Sequence, residues 1–141
     1  MMIISDANSI SELLKTTKRI AVLGIKTEAA EDQPAYYVPK YAQERGYEII
    51  PVPVYYPEAT EILGQKVYRQ VSEVPPPIDM VNVFRRAKDL KHHLDDILAA
   101  KPRSVWLQQA IRDDAFAEKL SAAGITVVQD RCLMVELRAR P

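Results

Sequence analysis

Residues 19–41 read RIAVLGIKTEAAEDQPAYYVPKY. A short apolar run leads to a glycine, a polar loop follows, and a segment of helical character begins. Strand, glycine turn, helix is the opening of a nucleotide-binding α/β domain. The loop has one glycine where a dinucleotide site has three. It also carries three acids, Glu28, Glu31 and Asp32, which repel a phosphate unless they point outwards.

Four more β-rich runs lie downstream: Tyr47–Val52, Asp79–Phe84, Arg103–Gln108 and Thr126–Gln129. With Arg19–Gly24 they make five. Most are near-continuous apolar runs, the pattern of parallel strands covered on both faces. Helical segments alternate with them. Ser9 and Glu12 have capping-box spacing. Pro34 suits a first helical turn and Gly46 the position past a helix end. Pro39 between them lacks a donor, so this helix is expected to start late or bend. Leu90, Leu94, Ile97 and Leu98 form one helical face, and Asp113 or Asp114 caps a helix burying Phe116 and Leu120. The segment from Tyr55 to Pro77 has more loop than a crossover needs, with a turn at Gly64. The expected fold is α/β, Rossmann-like and doubly wound, a mainly parallel five-stranded sheet with helices on both faces.

The chain has 141 residues, 48% hydrophobic and 27% charged, which fits a single globular domain over residues 1–141. Nineteen basic residues balance nineteen acidic ones, which argues against general nucleic-acid binding but permits a local basic pocket. The single cysteine, Cys132, has no intramolecular disulfide partner and no metal-binding spacing around it. The first residues lack a signal-peptide pattern, and no apolar run has membrane-span length. A cytoplasmic protein is the expectation.

In an open α/β sheet the ligand sits outside the carboxyl ends of the strands. Those ends are Gly24, Ile25, Lys26 and Thr27 after the first run, Pro51, Val52 and Pro53 after the second, and Phe84, Arg85 and Arg86 after the third. Gln108 and Ala110 close the rim. Lys26, Arg85 and Arg86 supply positive charge, and loop N–H groups can face an anion. The prolines offer a flat wall for a base. NAD fits poorly, because the second strand ends in prolines and lacks the ribose-binding acid. His92 and His93 lie mid-helix without ligand spacing, so no metal and no catalytic residue is assigned. Cys132 reads as a small buried hydrophobe and Trp106 as core. Of Tyr36, Tyr37 and Tyr41 on one helix, one is free to touch a ligand or a partner.

Taken in order, AVLG, PAYYVPKY, GYEIIPV, ILGQKVY, IDMVNVFRR, VWLQ, AAGITVV and DRC resemble the small stand-alone CoA-binding proteins, relatives of the CoA-binding domain of the succinyl-CoA synthetase α subunit. The resemblance covers roughly residues 10–138. It implies a Rossmann-like fold and a site for the ADP part of CoA or an acyl-CoA at the strand ends just named, without catalysis. Ile25 and Lys26 replace the small residue and serine common in that family, and Ala110 replaces a glycine. Two other readings stand beside CoA binding: an NAD(P)- or other nucleotide-binding enzyme or sensor, and an interaction module that keeps the fold without the ligand. A homodimer or a protein partner is open in each.

Overall fold

The computed structural model describes residues 2–141. Helix α1 (Ala7–Thr16) precedes strand β1 (Arg19–Leu23), helix α2 (Pro34–Glu44) and strand β2 (Glu48–Val52). A two-stranded antiparallel hairpin, β3 (Glu61–Ile62) and β4 (Gln65–Lys66), turns through Leu63 and Gly64. Strand β5 (Met80–Val83), helix α3 (Leu94–Ala100), strand β6 (Ser104–Leu107), helix α4 (Asp114–Ala122), strand β7 (Thr126–Val128) and helix α5 (Leu133–Arg138) complete the chain. The main sheet has the order β2-β1-β5-β6-β7, and every pairing in it is parallel. Strand order reverses between β1 and β5, which places the switch point there.

Alternation within the strands explains the three layers. On one face Ala21, Leu23, Val81, Val83, Val105 and Leu107 pack with Leu90, Ile97 and Phe116 from the α3 and α4 side. On the other, Ile20, Val22, Met80 and Trp106 pack with Ile10, Val38 and Leu133 from α1, α2 and α5. Both faces are apolar, hence the continuous apolar runs. Trp106 is core, fully buried, with its indole N–H donating to the Arg131 carbonyl at 2.8 Å.

Both sheet edges are occupied. The amide of Ile4 donates to Val127 and the amide of Val127 to Met2, so the first residues lie along β7. At the opposite edge Pro51 offers no amide, and its carbonyl accepts from Tyr68 at 3.0 Å.

Four local expectations need correction. The N-cap of α1 is Asp6, which accepts from the Ser9 amide at 2.9 Å, and Ser9 lies inside the helix. A carboxylate one turn earlier fills the capping role that Ser9 and Glu12 suggested. Helix α2 does not start late: it runs from Pro34 through a buried Pro39. Pro39 leaves the Ala35 carbonyl without its helical donor, and the Lys26 amide takes that place at 3.1 Å. The apolar face after β5 belongs to two pieces, a 3-10 helix Ala87–His93 and then α3. Helix α5 was not anticipated.

Candidate functional site

A cleft of about 640 Å³ opens at the carboxyl ends of β1, β5 and β6. The loop after β1 contributes Lys26, and the N-terminal part of α2 contributes Gln33, Pro34, Ala35 and Tyr37. From the β5 end come Phe84, Arg85, Arg86 and Ala87, from the β6 end Gln108 to Ile111, and Cys132 comes from the head of α5. Three cations line this cleft and no carboxylate does. The chain as a whole is neutral, and two of these three cations, Arg85 and Arg86, share one carboxylate outside the lining, Asp89. The positive end of the α2 dipole opens onto the same space.

Each cation is held differently. Lys26 is fixed through its backbone to Ala35, and its ammonium donates to the Gln33 side-chain oxygen. Arg85 is largely buried: its Nε donates to His93 Nε2 at 3.2 Å, and its guanidinium lies 5.8 Å from the Tyr55 ring centre. Arg86 is 72% exposed and donates to Asp89 at 3.2 Å. Asp89 also lies 3.9 Å from Arg85. Burial pushes the Asp89 carboxyl up, but the Arg86 hydrogen bond and the charges of Arg86, Arg85 and Lys88 outweigh it and hold it below the usual range. Burial, then the Arg85 charge, lowers the His93 pKa. Since Nε2 accepts from Arg85, that nitrogen carries no proton.

Of the residues named from sequence, Lys26, Phe84, Arg85, Arg86 and Gln108 line the cleft together. Gly24, Ile25, Pro51, Val52 and Pro53 do not. Gly24 has φ +87°, and a Cβ on it would lie 2.5 Å from the Phe84 carbonyl oxygen. Its glycine serves the close approach of the β1 and β5 ends. Ile25 is buried in the core against the α2 side. Pro51, Val52 and Pro53 are all buried, so they present no open wall. Thr27 lines a separate cleft of about 250 Å³, with Glu28, Tyr36, Glu61 and the hairpin turn. Glu31 and Asp32 are exposed and, like Glu28, do not line the large cleft. Two of the four loop amides are already used, Gly24 on Val52 and Lys26 on Ala35.

Two features escaped the sequence reading. Cys132 is half-buried and faces the cleft, because α5 begins directly after it. Gln108 is a junction: its side-chain oxygen accepts from Asn82 Nδ2 at 3.3 Å and from the Leu133 amide at 3.0 Å. This ties β5, β6 and α5 together beneath the cleft. The Asn82 Oδ1 beside it is buried with no donor among the described residues. Polar residues inside otherwise apolar runs were the available signal. The lining holds no carboxylate or imidazole that could act as a general base. Among the described residues no three potential metal ligands cluster, and no helix is long and apolar enough to cross a membrane.

Comparison with known proteins bears on this cleft. A family model described as a CoA binding domain matches residues 18–138. The uncharacterized protein YneT of Bacillus subtilis is 37% identical over 126 residues, covering 89% of this chain and 90% of its own. A solved structure from Thermus thermophilus is 38% identical with a TM-score of 0.86, covering 96% of this chain and 98% of that one. A hypothetical protein from Pyrococcus horikoshii is 29% identical with a TM-score of 0.83, covering 96% of this chain and 92% of its own. The five-stranded Rossmann-like α/β fold is common ground with these structures.

Proposed function

The chain belongs to the CoA-binding domain family, and from that premise we propose that it binds CoA or an acyl-CoA in the large cleft, without chemistry of its own. The carrying observation is the cleft's composition: three cations, no carboxylate, and apolar surface from Phe84, Pro34, Ala35 and Ile111. That combination suits a ligand with phosphates at one end and an uncharged arm. Lys26 and Arg86 offer accessible charge, Arg85 a fixed one, and the α2 N-terminus faces the same anion. The adenine contact first given to Pro51, Val52 and Pro53 is not retained, since those residues are buried. A binding role fits a lining that is cationic on one side and apolar on the other.

Thermal unfolding with CoA, acetyl-CoA, NAD, NADP and ADP tests the reading. A ligand at about 100 times its dissociation constant adds roughly 2.7 kcal/mol, a shift of several degrees for a domain of this size. CoA and acetyl-CoA are expected to raise the midpoint and NAD to leave it nearly unchanged. The double variant Lys26→Ala, Arg86→Ala should shrink the shift. A shift with NADP alone would favour the nucleotide-enzyme reading. No shift with any of the five would leave the interaction module.

A further inference from the structure

Resting on the CoA reading above, we propose that the cleft selects thioesters whose acyl group is uncharged over those whose acyl group ends in a carboxylate. The cleft is electrically two-sided. Its cations all come from the β1 and β5 ends, as Lys26, Arg85 and Arg86. The β6 end and the head of α5 supply Gln108, Gln109, Ala110, Ile111 and Cys132, none of them a basic or carboxylate side chain.

Adjacent strands lie about 4.8 Å apart, so the β6 end is roughly 10 Å from the β1 end. Phosphates anchored on the cations leave the uncharged arm of CoA to cross towards β6. The thioester and its acyl group then rest against Ile111 and Cys132. A terminal carboxylate there loses water and gains no partner. The two cations nearest in sequence do not line the cleft: Arg112 pairs with Asp114 at 3.1 Å, and Arg131 donates to the Ser5 carbonyl at 2.6 Å and lies 3.5 Å from Glu136. Asp130 accepts from the Ala110 amide at 2.5 Å, so the charge fixed beside this end is negative.

Titration calorimetry on the full chain with CoA, acetyl-CoA, butyryl-CoA and succinyl-CoA decides it. Acetyl- and butyryl-CoA are expected to bind at least as tightly as CoA, and succinyl-CoA about tenfold more weakly than acetyl-CoA, one unfavourable charge placement. Gln109→Arg, at an exposed cleft position, should narrow the gap between succinyl- and acetyl-CoA, read as the ratio of the two affinities within the variant. Equal affinity for succinyl- and acetyl-CoA in the native chain overturns the selectivity and leaves CoA binding standing. Failure of all four to bind removes the CoA reading and this inference with it.

Discussion

The amide of Lys26 donates to the carbonyl of Ala35, the residue four places before Pro39. A proline inside a helix frees the carbonyl one turn back and pushes it off the helix axis. Here that freed acceptor ties down the loop after β1, at the cation facing the cleft. Pro39→Ala restores a competing helical donor. Amide exchange at Lys26 should then speed up several-fold, while global stability moves by no more than about 1 kcal/mol, helix propensity gained offsetting lost packing. Unchanged exchange at Lys26 would refute the link.

Gly24→Ala should be among the most damaging single substitutions in the chain. It forces a β-carbon to 2.5 Å from a backbone oxygen at Phe84 and puts alanine at φ +87°. Backbone cannot yield as a flexible side chain does. A loss of about 2–4 kcal/mol is expected by urea denaturation. A loss below about 1 kcal/mol would mean that the β1 and β5 ends separate easily.

Ala110→Gly should stabilise. Ala110 has φ +69°, in the left-handed region, and its amide is fixed on Asp130. Relief of roughly 1–2 kcal/mol of backbone strain is partly offset by the roughly 0.5–1 kcal/mol entropic cost of glycine. A gain of about 0.5–1 kcal/mol remains, visible as a melting point a few degrees higher. A lower melting point would show that the Ala110 methyl packs usefully in the cleft wall.

Stability should also depend on His93. Its pKa is lowered in the folded state from the ordinary 6.5, by burial first and the Arg85 charge second. The unfolded chain therefore binds the proton more readily, and stability is lost as pH falls through 6.5. The loss levels off below the folded pKa, where both states are protonated. His93→Gln keeps an acceptor for Arg85 and should flatten denaturation midpoints between pH 6.5 and the carboxylate range near pH 4–5. An identical slope in native and variant would assign the dependence to other groups.

The five strands were legible because both faces of each are covered, so burial is written as uninterrupted apolar runs. Lys26, Arg85 and Arg86 were legible as charges directly after strands. Which strand-end residues face the cleft was not. Pro51, Val52 and Pro53 end a strand as Phe84 and Arg85 do, yet they are buried, a consequence of tertiary placement that periodicity does not record. The cap of α1 was misplaced because Asp6, Asn8 and Ser9 all favour caps within one turn. Six residues of α5 are too few for a helical period to emerge, and Cys132 was misjudged with it.

The sheet is finished at both margins, by Pro51 on β2 and by residues 2–4 along β7. Strand addition by a second copy is disfavoured at both margins, where Pro51 supplies no donor and residues 2–4 already lie along β7. Helix faces and the cleft rim are the surfaces left open to assembly beside them, and association at the rim would be sensed directly by the ligand site.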